Sequence, residues 1–563
     1  MLMAPISRGR REPTRSNHVR YVLVTVAAFV VAAAAILAIW FWLGRSVPIQ
    51  SEIKGKLDCL SYAPSTASQH PLVSPDYTVP LEVIEKDLMA LRPLTDCIRT
   101  YSSYGIQAEV LPIAARLGFQ VMVGIWIGAE DKRNRIEIDA ALKVTEKHPG
   151  AVRAIIVGNE VLLRKEMSGE RLASVIRSVK ARTSHKVAYA DMIDFWMRNP
   201  MVTEAVDKIL LHVLPYWDDP VAPSVEDVQD RVRMVVGAAR AAFPGKDLEI
   251  GEIGWPSAGR TRAHAVPTRV NQARFIRDFV AQAGALGLHY NIIEALDQSW
   301  KRLPEGTVGG YWGIIDGDRK TKFPFAGPVS EWPDWKDAAT FSTLVSALFL
   351  LLALVCKRRP GLMPALGIAL SGAATGTLLW MLADQIGAMA IGLPGLAWGG
   401  YLISITILGG LFLAAQMAGL PGPWDRPPAP LSAVLAACRQ RRLTPDDVLG
   451  LLRWAILLPA AIVAVSQALD GRYRDFHTLA FLLPALALLL LAWRGKAAAS
   501  RTSEEGWLCL MIALSGPAAV DVPGNWEAMA WAGTCLLLAL PGLPAIRAEW
   551  RRLHRAVAPV GQG

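Results

Sequence analysis

From Tyr21 to Leu43 the chain carries no charged residue. An uncharged apolar run of this length predicts a helix that spans a membrane. Arg8, Arg10, Arg11, Arg15 and Arg20 precede it, and Trp40, Phe41 and Trp42 close it as an interfacial aromatic belt. The run is too long for the core of a signal peptide and no small-residue cleavage site follows, so it reads as an uncleaved anchor with a cytoplasmic basic tail at 1–20 and a span at 21–43. Between about residues 50 and 335 the texture changes to short apolar runs separated by amphipathic stretches, the spacing of repeated βα units. The strand candidates are KLDCLSY, TDCIRTYS, QVMVGIWIG, RAIIVGNE, KVAYADM, KILLHVLPYW, LEIGEIGW and HYNIIEAL. LEVIEKDLMALR, SGERLASVIRSVKAR, VEDVQDRVRMVVGAARAAF and NQARFIRDFVAQAGAL each show one apolar and one charged helical face. Eight strands with seven crossovers predict a (β/α)8 TIM barrel. A doubly wound open sheet is the alternative, weakened because no glycine-rich phosphate loop follows the first strand.

Beyond about residue 340 the chain is apolar again. Seven further spans are predicted near 340–356, 362–384, 396–418, 449–468, 478–494, 506–521 and 528–546, a C-terminal α-helical membrane bundle over 340–546, followed by a tail at 547–563. Lys357, Arg358 and Arg359, then Arg439, Arg441 and Arg442, then Arg494 and Lys496, and finally Arg547, Arg551 and Arg552 all fall on the cytoplasmic side if the N-terminus is cytoplasmic. The barrel over 50–335 is then placed in the periplasm or outside the cell. Asp384, Arg453 and Asp521 lie near span ends, where they reach the interface, and no carboxylate falls in mid-membrane to mark a proton relay. An anchoring or partner-binding bundle and a saccharide conduit both fit.

Composition agrees with this division. An apolar share of 52% against 19% charged is too high for an ordinary soluble chain. The net charge of +10 sits in clusters beside apolar segments and not in one stripe with interleaved aromatics, so it reads as a topology signal and excludes nucleic acid as partner. Six scattered cysteines make no disulfide scaffold and no metal-ligand spacing. Cys59 and Cys97, on the first and second strands of a domain facing an oxidising compartment, either form a disulfide or are two small buried apolar residues.

Two glutamates carry the candidate chemistry. Glu252 ends a strand at a glycine-marked turn, and Glu160, next to Asn159, ends another strand upstream. A glutamate at such a place can simply cap the following helix. A pair on strands four and seven of a parallel barrel, however, faces across the mouth where the strand ends converge, as two carboxyls of a glycosidase must. Asn159 suits a sugar hydroxyl and Trp255 a wall of the cleft.

VGNE and IGEIGWPSAG, with DCIRTYS, VLPYW, EALDQSWK and GGYWGIID, resemble glycoside hydrolase family 17, the β-1,3-glucanase family, over about residues 55 to 330. The resemblance implies a retaining enzyme with Glu160 as acid/base and Glu252 as nucleophile, and a cleft lined by Tyr62, Arg99, Tyr101, Tyr216, Glu294, Trp300 and Lys301. Trp312 either caps the cleft or packs beneath it. Gln298 stands where related sequences commonly have a glutamate three residues before the lysine, which removes a charge from behind the cleft. The architecture as a whole is similar to bacterial proteins grouped as β-(1,6)-glucan synthases, some of which are glucanosyltransferases that make branched or cyclic β-(1,3),(1,6)-glucans.

These features together predict a glucanosyltransferase in the inner membrane, acting on β-1,3-glucan in periplasmic glucan biosynthesis and forming β-1,6 linkages or branches. A β-1,3-glucanase using the same residues is the first alternative. A non-catalytic glucan-binding scaffold for a partner membrane glucan synthase is the second, and a transporter with an accessory barrel the third. No metal site, nucleotide-sugar motif or other cofactor is implied, and the expected partners are β-glucan and the lipid bilayer.

Overall fold

The computed structural model describes residues 15–66, 77–356, 361–419, 428–494, 503–542, 544–547 and 550–551. The basic segment up to residue 14, the Lys357–Arg359 cluster, Lys496, and Arg552 with the end of the tail lie outside the described residues.

Helix α1 (Arg15–Leu43) leads into a barrel built in the order β1 (Cys59–Ser61), α2 (Leu81–Leu91), β2 (Cys97–Arg99), α3 (Val110–Arg116), β3 (Gln120–Ile125), α4 (Asp131–Lys147), β4 (Val152–Asn159), α5 (Gly169–Lys180), β5 (Val187–Met192), α6 (Ile193–Arg198), α7 (Pro200–Ala205), β6 (Lys208–Val213), α8 (Val228–Ala242), β7 (Asp247–Ile253), α9 (Arg269–Leu286), β8 (Tyr290–Ile292) and the single turn α10 (Arg302–Glu305). All eight expected strands form, each parallel to its neighbours, and β8 pairs with β1 to close the barrel. The open-sheet alternative is thereby set aside. The helix starts follow local chemistry: Ser168 and Thr268 accept the backbone N–H of Arg171 and Asn271, and α9 stops at Gly287 in the left-handed region with φ 57°.

Two apolar layers follow from strand alternation. Ile155 and Val157 belong to the large core between strands and helices, whereas Ile156 joins Cys59, Cys97, Met122, Ala188, Ala190 and Leu210 in a separate cluster inside the barrel. Cys59 and Cys97 are bonded to each other, with Cα atoms 4.5 Å apart. The barrel floor is ionic. Arg153 of β4 reaches across to Asp58 at 2.8 Å and to Glu249 of β7 at 3.0 Å, and Lys208 of β6 meets Glu249 at 2.8 Å.

Among the described residues the C-terminal region is built of helices: α11 (Trp335–Val355), α12 (Leu362–Met389), α13 (Gly392–Met417), α14 (Leu431–Arg439), α15 (Pro445–Leu469), α16 (Thr478–Trp493), α17 (Ser503–Ala518) and α18 (Trp526–Ala539). Among the described residues, α11, α12, α13, α15 and the 21–43 part of α1 are long and apolar enough to cross a membrane. Helices α16 and α18, with 16 and 14 residues, are shorter than the expected spans, α18 passing into a 3-10 turn at Leu540, while α17 has the expected 16 residues but lies three positions earlier, at Ser503–Ala518. The short helix α14 was not expected. Gly372 and Gly376 of α12 let its backbone approach Ser346 and Ser342 of α11 closely. Arg453, expected near a span end, is buried and paired with Glu505 of α17.

The segments 388–391, 470–477 and 521–527 of this bundle, helix ends with the loops beside them, meet the barrel. Arg302 donates to Ala388 O at 2.7 Å, Arg260 donates to Arg474 O at 3.0 Å and lies over the Phe476 ring, and the backbone N–H of Ala263 donates to Asp521 at 2.7 Å. These barrel residues come from the loops after β7 and β8, so the bundle sits against that side of the mouth.

Candidate active site

Strand β4 ends in a forced turn. Gly158 has φ 89° and a Cβ there would strike Val161, while Glu160 itself sits in the left-handed region at φ 51°. For a glutamate that conformation costs of order 1 kcal/mol or more and is held by its surroundings: the Glu160 N–H donates to Ala190 O on β5 at 2.8 Å. The turn brings the carboxyl over the mouth. Across it, Glu252 lies in register with His212 on β6.

His212 joins the two. Its Nδ1 is 2.8 Å from Glu160 Oε1 and its Nε2 3.7 Å from Glu252 Oε1. Carboxyl oxygens of Glu160 and Glu252 lie within 4.8 Å of each other and of a His212 nitrogen. Burial raises the Glu160 pKa, but the hydrogen bond and charge of His212, then Arg164 and Arg99, outweigh it and hold the carboxyl below the usual range. Glu252 is oriented by two donors on one oxygen, Tyr101 Oη at 2.8 Å and Arg99 Nη1 at 3.1 Å. Arg99 also donates to Gly251 O at 2.7 Å and to Asn159 Oδ1 at 2.5 Å.

Glu160, His212 and Glu252 form the one group among the described residues whose spacing could hold a metal ion. A guanidinium already in contact with Glu252 opposes a second cation there, and the His212 Nδ1 is committed to Glu160. The arrangement suits two carboxyls that exchange protons and attack carbon better than it suits a metal.

The other expected site residues divide into two groups. Asn159 and Tyr101 adjoin the carboxylates. Glu294 and Lys301 form a buried pair at 2.8 Å beside them; burial pushes the Glu294 carboxyl up to about 7, against the pull of Lys301. Trp300 lies half-buried next to that pair, its indole N–H donating to Gln298 Oε1 at 2.8 Å.

Four placements correct the sequence reading. Arg99 is fully buried and braces the carboxylates from below, so it does not line the cleft. Tyr62 is turned toward α2, donating to Asp87 at 3.0 Å. Tyr216 donates to Arg260 O and is packed edge-on against Trp217, Trp255 and Trp312. Trp255 is itself fully buried, stacked on Phe275, and Trp312 packs beneath the cleft against Trp217. Tyr62 and Trp255 point toward the helical layer and Tyr216 into a cluster of loop aromatics, so at these three positions an exposed ring for a sugar is lost. Gln298 is buried and satisfied without a charge: it accepts from Ser65 and Trp300 and donates to Ala63 O, tying the loop after β1 to the loop after β8.

Sequence reasoning missed His212, Asp191 and Glu305. His212 was visible as the sole polar residue in the run ILLHVL. Asp191 on β5 is buried and bonded to the Tyr189 hydroxyl, and Glu305 closes α10 with its carboxyl pushed up by burial and by the charges of Glu252 and Glu160. Neither has a local signal.

Comparison with known proteins agrees with the placement of these residues in one domain. The chain is 28% identical over 257 residues to a glucan 1,3-beta-glucosidase of Arthroderma benhamiae, covering 42% of this chain and 82% of that protein. It is 26% identical over 266 residues to a glucan 1,3-beta-glucosidase of Candida albicans, covering 43% and 86%. Among solved structures, the glycoside hydrolase family 17 beta-1,3-glucanosyltransferase from Rhizomucor miehei aligns with a TM-score of 0.41 at 23% identity, over 48% of this chain and 97% of that one. Residues 59–313, from β1 to the loop after β8, match the family model of the BtgE/BtgC glycoside hydrolase domain.

Proposed function

We propose that this protein is a membrane-anchored, retaining enzyme of β-1,3-glucan that transfers glucan chains in the periplasm. The observation that carries the reading is the approach of the Glu160 and Glu252 carboxyl oxygens to within 4.8 Å at the ends of β4 and β7, the short separation of retaining enzymes and not the wider one that admits a water between. Glu252 attacks the anomeric carbon as the C–O bond to the leaving chain breaks, and Glu160 gives its proton to the departing oxygen. An acceptor hydroxyl then attacks the same carbon, gives its proton to Glu160, and releases Glu252. The His212 contact favours ionised Glu160, the form the second step needs. Glu160 keeps 21% of its side-chain surface exposed, and substrate that removes this water shifts it toward the protonated form of the first step. The names of the relatives support β-1,3-glucan as the substrate class.

The membrane reading is supported by polarity. Segments 388–391, 470–477 and 521–527 face the barrel, whereas Arg439, Arg441, Arg442, Arg494 and Arg547 follow or precede the opposite helix ends. A reporter fused after Arg359 is expected to be active in the cytoplasm; activity outside it would sink this topology.

Incubation with linear laminari-oligosaccharides, followed by linkage analysis, tests the reaction. Products longer than the substrate, some with β-1,6 branches, are expected, and the first-formed anomer by NMR is β. Shorter products alone would make the enzyme a hydrolase, and an α first product would overturn the double displacement.

A further inference from the structure

A cavity of about 430 Å³ lies where the barrel meets the bundle. The barrel lends it Arg302 and Thr307; the bundle lends it Trp398, Gln467, Tyr473 and His477. One helical turn, α10, separates it from the catalytic carboxyls: Lys301, just before the turn, holds Glu294, while Arg302 faces the bundle.

Its polar groups are incompletely paired. Gln467 is only 3% exposed, and its amide nitrogen donates to Asp475 O at 2.6 Å, yet its Oε1 has no partner. His477 Nδ1 is likewise buried without one, its ring edge-on to Trp398 at 5.6 Å between centroids. A buried acceptor left unpaired costs stability until a ligand donor meets it. A hydroxyl both donates and accepts, so it satisfies the amide oxygen and either tautomer of the histidine. Trp398, stacked on Tyr401 through one face, and Tyr473 line the same cavity and add aromatic surface of the kind on which a sugar ring rests. An anion fits less well: Arg302 is spent on Ala388 O and Ala390 O, Arg474 on Asp470, and Asp475, whose carboxyl accepts from the Thr307 hydroxyl, also lines the cavity.

We propose that this cavity is a second saccharide site, made jointly by barrel and bundle, which holds a segment of neutral β-glucan at a distance from the bond being broken. The proposal rests on the reading of the barrel as a β-glucan enzyme. It gives the bundle a part in substrate binding as well as in anchoring.

The test is calorimetric titration of the full-length chain in detergent with laminaripentaose, in a Glu252→Gln background so that nothing turns over. Two classes of site are expected. Gln467→Leu, which removes the unpaired acceptor, weakens one class by about tenfold and leaves the affinity of the other unchanged. Ser466→Phe, which sets a ring on the cavity wall and obstructs it, weakens or abolishes that class and serves if the first variant fails to fold. A single class of site, or two classes unaffected in either folded variant, overturns the proposal. If instead the wild-type chain turns over no β-1,3-glucan while the titration still loses one class with Gln467→Leu, the catalytic reading fails and the second site stands.

Discussion

Glu252→Gln is expected to lower turnover of laminaripentaose by about 10⁴-fold in a variant that still folds. Removal of a nucleophile that forms a covalent intermediate has effects of this size. The substitution keeps shape and one oxygen, so Tyr101 and Arg99 still find an acceptor at the positions they occupy now, 2.8 and 3.1 Å away. On the proposed double displacement, what is lost is the ability to form and release a glycosyl ester, since the amide is a poor attacking group. A rate within tenfold of wild type, measured on a variant whose melting curve matches, would remove Glu252 from the mechanism.

Arg99→Met is expected to injure fold and rate together. Arg99 is fully buried and serves Glu252, Asn159 and the Gly251 carbonyl at once. A methionine of similar length fills the space but leaves a nearly buried carboxylate without its cation, a loss of about 3–5 kcal/mol. For a barrel of this size that lowers the melting transition by about 10 °C, and turnover falls by at least about 10²-fold as Glu252 and Asn159 lose their brace. Arg99→Lys should recover little, because one ammonium cannot reproduce a planar fork bonded to three groups. Full recovery by lysine would show that charge alone matters there.

These two residues show how far the sequence could be read. Glu252 was legible because strand periodicity placed it at the end of the seventh strand, and Glu160 on the fourth, so their convergence followed from barrel geometry alone. Arg99 was legible as important but not in its direction: it ends β2, and a one-residue difference in where a strand stops decides whether a side chain enters the barrel or the cleft. The same ambiguity misplaced Tyr62 and Trp255, whose rings turn toward the helical layer, and Tyr216, whose ring enters a cluster of loop aromatics. His212 had the opposite problem, since one histidine in an apolar strand looks like a core residue until its partners from β4 and β7 are beside it. The docking of bundle on barrel was illegible for a different reason. Arg302 and Arg260 meet the carbonyls of Ala388 and Arg474, and a carbonyl looks the same whatever residue bears it.

The ionic floor of the barrel bears on traffic. Because Arg153 crosses the interior from β4 to Asp58 and Glu249, the axis is plugged by side chains below the carboxylates, and no polymer threads it. A glucan that enters the mouth must leave by the mouth. Any route that carries chain past this protein therefore runs alongside the barrel.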